Sequence, residues 1–76
     1  MNIENHLNNM TIFFSKKTGE IKSFATGIQD MNYFGKDKED YELIWDYVVI
    51  PRDDKVLRNL EMFKINLDNK ELTINF

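Results

Sequence analysis

Four carboxylates crowd into six residues, Asp37-Lys38-Glu39-Asp40-Tyr41-Glu42, the densest concentration of groups capable of chemistry in this chain. They suffice in number for a calcium ion, but the run lacks the sixth-position glycine and the distal glutamate of an EF-hand loop. Paired carboxylates also hydrolyse glycosides, a reaction that needs a cleft able to hold sugar rings. A chain of 76 residues has a thin core and rarely builds one. The single histidine, His6, lies in a polar N-terminal stretch with no Ser, Cys or acid pair beside it, so it has no orienting partner for base catalysis. There is no cysteine, which removes disulfides and thiolate metal sites. These residues predict a protein that is not an enzyme and uses no cofactor or metal.

The same acids read better as a recognition surface. Tyr33, Phe34 and Tyr41 interleave with Asp37, Glu39 and Asp40, the pattern of aromatic anchors inside a charged rim, and these six are the candidate partner-binding residues. The net charge of −3 is unevenly spread: residues 1–36 and 55–76 each carry +1, whereas residues 37–54 carry −5. No basic patch is available to neutralise phosphates, so direct nucleic-acid binding is not expected. Seven acids in residues 37–54 are thin for imitating a phosphate backbone, and an interface with protein is the better reading. Trp45 and Tyr47 alternate in register with Leu43 and Val49 and are flanked by Glu42 and Asp46. They predict core positions rather than a platform for stacked bases.

The elements that must position these residues follow from periodicity and turn chemistry. Residues 1–10 hold four Asn and no apolar stretch, which predicts a polar arm dispensable for folding, ahead of one domain over residues 11–76. Thr11–Ser15 and residues 20–26 read as a hairpin closed at Lys16-Lys17-Thr18-Gly19, with Ile12 and Phe14 on one face, Phe13 on the other, and a bulge near Ser23. Residues 30–40 read as a loop with one helical turn. Residues 41–50 read as a central strand covered on both faces and ended by Pro51. Asp53 caps a short helix through Leu60. Residues 62–67 and 71–76 form a second hairpin about Asp68-Asn69-Lys70, with Asn69 in the left-handed conformation. The expected fold is mainly β (a β-rich α+β domain): a small five-stranded, mostly antiparallel sheet with two hairpins and one short helix. Strand five, apolar at Leu72, Ile74 and Phe76, offers an edge for pairing between copies, so a homo-oligomer is expected.

Ile12-Phe13-Phe14-Ser15-Lys16-Lys17-Thr18-Gly19-Glu20-Ile21, together with Asp40-Tyr41-Glu42-Leu43-Ile44-Trp45-Asp46-Tyr47, resembles short uncharacterised proteins carried by phages and prophages of low-GC Gram-positive bacteria. The abundance of Asn, Lys and Ile is similar too. That group has no active-site pattern to transfer. The resemblance implies a setting in which small proteins serve as virion accessories or modulators of host proteins, on the virion or in the cytoplasm of the bacterial host. The expected function is therefore non-enzymatic contact with a protein partner, as a tail or baseplate accessory. The alternative is an acidic inhibitor that binds a host nucleic-acid-handling or defence protein. No apolar run approaches the roughly 20 residues of a membrane span, so no membrane partner is expected.

Overall fold

A computed structural model describes residues 7–74. The five expected strands are present and all antiparallel, and they divide into a three-stranded sheet and a two-stranded one rather than a single five-stranded sheet. In chain order they are β1 (Asn9–Ser15), β2 (Ile21–Thr26), β3 (Trp45–Pro51), β4 (Phe63–Ile65) and β5 (Leu72–Ile74). The larger sheet has the order β2-β1-β3 and the smaller is the β4–β5 hairpin. Between β2 and β3 run a 3₁₀ segment (Met31–Asp37) and helix α1 (Lys38–Ile44), and between β3 and β4 the short helix α2 (Asp54–Arg58).

The central strand is β1, not the residues 41–50 expected to fill that place. Met10, Ile12, Phe13 and Phe14 are at most 1% exposed because both faces of β1 are covered. On one face Met10, Ile12 and Phe14 pack with Val56 of α2, Ile65 of β4, and flanking Val48, Ile50 and Leu72. On the other, Phe13 packs with Ala25, Met31 and the ring-bearing residues Phe34, Tyr41, Trp45 and Tyr47. Cover on two faces explains the consecutive apolar residues Ile12, Phe13 and Phe14 in β1. Its one buried polar residue, Thr11, is satisfied: its hydroxyl donates to the Gly27 carbonyl (2.9 Å) and accepts from the Gln29 N–H (2.9 Å).

Several boundaries move. Asn9 and Met10, assigned to the arm, belong to β1, and Asn8 already accepts a backbone hydrogen bond from Arg52 (2.9 Å). The rest of the proposed arm, including His6, lies outside the described residues. Residues 41–44 are helical rather than extended. Their Leu and Glu are good helix formers, Glu39 and Asp40 suit the first-turn dipole, and Lys38 pairs with Glu42 one turn on (3.5 Å). The loop expected over residues 30–40 is accordingly mostly helical, kinked at Gly35 where φ is +57° and ψ is −118°. The bulge falls at Lys22, beside the expected Ser23, since Phe13 faces Ser23 and Phe14 faces Ile21. Asp53 caps α2 as expected, accepting from the Lys55 N–H (2.9 Å).

In the C-terminal hairpin Lys70, not Asn69, takes the left-handed conformation, at φ +57°. Asn69 instead spends its side-chain oxygen on the Glu71 N–H (3.0 Å). The ammonium of Lys70 reaches back to Asp46 of β3 (2.9 Å), joining the hairpin to the larger sheet. Partial burial pushes the Asp46 carboxyl up, but the Lys70 hydrogen bond, the Tyr47 N–H and the charges of Lys70 and Lys16 outweigh it and hold its pKa below 3.8. The hydrogen bond and charge of Asp46 raise Lys70 above 10.5. A depressed carboxylate stabilises the fold fully above its unfolded pKa and loses that contribution as pH falls through the folded value. A raised amine contributes fully below its unfolded pKa and loses the contribution as pH rises through the folded one. The pair therefore stabilises the window between them. Wild type should lose denaturant resistance relative to Asp46→Asn between about pH 5 and pH 2, by a modest amount because the pair is largely exposed. Parallel pH profiles for the two proteins would show the bridge to be without weight.

The two edges of the larger sheet differ. The bonds Lys16 N–H to Ile44 carbonyl and Arg52 N–H to Asn8 carbonyl set the ladder phase, so Trp45, Tyr47, Val49 and Pro51 turn their backbone groups outward from β3. Three of these four positions are closed. The Trp45 N–H bonds the Tyr41 carbonyl at the end of α1, the Tyr47 N–H bonds its neighbour's carboxylate (2.8 Å), and Pro51 has no N–H.

Candidate protein-binding face

The segment from residue 30 to residue 44 lies across the Phe13 face of the sheet, and its construction fixes the candidate residues. Asp30 caps the 3₁₀ segment by accepting from the Asn32 N–H (2.8 Å), and Met31 is buried as its anchor. Tyr33 and Phe34 then reach the ring of Phe13, at centroid separations of 5.6 and 4.6 Å. The kink at Gly35 redirects the chain into α1, which returns Tyr41 to Phe34 (4.5 Å) and stacks it on Trp45 (4.4 Å, 24° between planes). Phe34 also meets Trp45 edge-on (5.6 Å, 64°). Five rings from four elements thus form one continuous stack, worth about 0.5–1.5 kcal/mol per well-placed pair beyond the area buried.

The structure brings the three aromatic candidates together and gives them different parts. Phe34 and Tyr41 are half-buried supports, whereas Tyr33 is 52% exposed. Asp37, Glu39 and Asp40 are exposed where the 3₁₀ segment passes into α1, and none makes an ion pair with a described residue. Glu42, by contrast, is engaged with Lys38, and its carbonyl accepts from the Lys16 ammonium. Among the described residues no three acids or histidines converge in a way that could hold a metal ion. No helix among them is long and apolar enough to cross a membrane.

Two members of this face escaped the sequence reading. Leu43 is 78% exposed and Ile44 56% exposed, at the C-terminal end of α1. As alternating strand residues they would fall on opposite faces of a core; as helical neighbours they stand in solvent beside the acids. The usable signal was the Lys38–Glu42 spacing, which is helical and runs directly into them. Trp45, expected in the core, is half-buried at the rim of the stack.

No family model, curated protein or solved structure matches this chain.

Proposed function

We propose that this is a non-enzymatic phage or prophage protein acting through protein–protein contacts, as an accessory of the virion tail or baseplate. The observation that carries the reading is the exposure of Leu43, Ile44 and Tyr33 together with that of Asp37, Glu39 and Asp40, on a segment held to the sheet by a stack of rings. Apolar groups with a charged rim on a preorganised support are what a partner surface requires, since little side-chain freedom remains to be lost on binding. A second reading is an acidic inhibitor of a host nucleic-acid-handling or defence protein. It is favoured by the −5 charge of residues 37–54 and by the outward placement of Asp37, Glu39 and Asp40. The outer edge of β5 and the exposure of Ile74 support pairing between copies in either setting.

The test is to look for the chain in purified virions and to cross-link it there. The expected result is co-purification with a tail component, lost in Leu43→Asp while the denaturant midpoint of the isolated protein is unchanged. Absence from virions, with salt-sensitive capture of a host protein that Asp40→Lys abolishes, would instead establish the inhibitor. Binding untouched by either substitution removes this face from both readings.

A further inference from the structure

A second surface, on the opposite side of the sheet from the aromatic stack, has the chemistry of a strand acceptor. The β1–β2 turn and β4 are tied by the backbone hydrogen bond Ile65 N–H to the Gly19 carbonyl (2.8 Å) and by the antiparallel bridge of Glu20 with Lys64. Beyond that tie β2 and the chain leading into β4 part, leaving a groove of about 490 Å³ between them. Its walls are Ile21, Lys22 and Phe24 on one side and Leu60, Glu61 and Phe63 on the other.

The β2 wall is an open sheet edge. The bond Gly27 N–H to Asn9 carbonyl and the register of Ala25 with Thr11 and Ser23 with Phe13 turn the backbone groups of Gly27, Ala25 and Ser23 inward, so Phe24 turns its N–H and carbonyl toward the groove; at Lys22 the bulge shifts the phase, and Glu20 bonds inward to Ser15. The bulge at Lys22 interrupts this edge on its N-terminal side, but among the described residues no side-chain cap, helix end or proline of the kind that closes β3 covers Phe24. The four residues from Ile21 to Phe24 offer about 13 Å of strand length. Lys22 is already paired with Glu20 (3.0 Å), while Glu61 forms no ion pair with a described residue, so the groove carries one uncompensated negative charge.

We propose that this groove binds an extended peptide by strand addition to β2, a peptide that alternates apolar side chains and places a Lys or Arg against Glu61. The open backbone edge selects an extended chain, the apolar walls select its inward side chains, and Glu61 selects the basic residue. The site goes beyond the function proposed above, since none of its residues belongs to the helical segment or the ring stack.

The probe is a synthetic hexapeptide, acetyl-Thr-Val-Lys-Val-Thr-Val-amide, titrated into the isotope-labelled full chain and followed by NMR and amide exchange. Saturable shifts at Ile21–Phe24 and Glu61, with slowed exchange of the Phe24 amide, are expected. Two N-methylated versions, blocking alternate amides, separate strand addition from mere apolar contact. One should bind at least tenfold more weakly and the other within about twofold of the parent, because only one set of amides faces β2. Glu61→Lys should weaken the parent peptide at least threefold and favour a version with Glu in place of its Lys. Three outcomes overturn the proposal: equal binding of both methylated peptides, shifts confined to Tyr33 and Leu43, or no binding at millimolar peptide. Sedimentation showing a dimer, with the Phe24 amide protected before any peptide is added, overturns it too and assigns the edge to a second copy.

Discussion

Phe13→Ala is expected to unfold the protein or bring it close to unfolding, at a cost of about 3–5 kcal/mol. Phe13 is fully buried, and it is where the helical segment meets the sheet, through the mutually contacting rings of Tyr33 and Phe34. A domain this small sits near the bottom of the usual range of about 5–15 kcal/mol, so one such cavity consumes most of the margin. Phe13→Leu keeps much of the volume and loses mainly the ring contacts, and should cost about 1–2 kcal/mol. Denaturant titration followed by circular dichroism distinguishes the two. Trp45→Ala should cost less than Phe13→Ala, because Trp45 is half-buried; a reversed order would mean that the rim of the stack, not its centre, holds the segment down.

Gly19→Ala has the second largest expected effect and acts through backbone alone. Gly19 is buried with φ +79°, and a Cβ there would overlap the carbonyl oxygen of Ile65. A left-handed alanine costs about 1–2 kcal/mol. Displacing β4 also breaks the Ile65 to Gly19 hydrogen bond, worth about 1 kcal/mol more. The sum is about 2–3 kcal/mol, with faster hydrogen exchange at the Ile65 amide as its local signature. Gly35→Ala is the control: φ is again positive but the space is open, so only the conformational cost of about 1–3 kcal/mol applies and the Ile65 amide should keep its protection. Equal loss of Ile65 protection in both variants would show that the turn does not pin the second hairpin.

Local chemistry made the hairpins legible. Ser15 and Thr18 accept backbone N–H groups within the first turn, Gly19 supplies the positive φ, and the alternation of Ile12, Phe13 and Phe14 between faces holds. The Asp53 cap was legible for the same reason, since its partner lies two residues away. Which strand is central depends instead on contacts between distant residues. Both β1 and residues 41–50 carry apolar side chains on two faces, and periodicity alone does not rank them. Leu43-Ile44-Trp45 satisfies a strand pattern and a helix end equally well until the Lys38–Glu42 turn and the Tyr41–Trp45 stack are in place. The acids and rings of the candidate face were visible as residue types. Leu43 and Ile44 were hidden because exposing a large apolar residue follows from tertiary placement, which a local window does not contain. The groove beside β2 was hidden because it is bounded by elements far apart in the chain.

The order β2-β1-β3 also sets a rule for assembling this molecule. The strand that the other layers lean on is the first of the described strands, and its second neighbour does not exist until Trp45–Pro51 has been added. A chain growing from its N terminus therefore holds a hairpin with one raw edge along Met10, Ile12 and Phe14 for the whole interval in which residues 27–44 are made. No cut between β2 and β3 leaves a self-sufficient half, because either fragment lacks the partner that satisfies its longest strand. The C-terminal hairpin, whose two strands are neighbours in sequence, carries no such dependence on distant chain. Its assembly is local, and only its attachment waits.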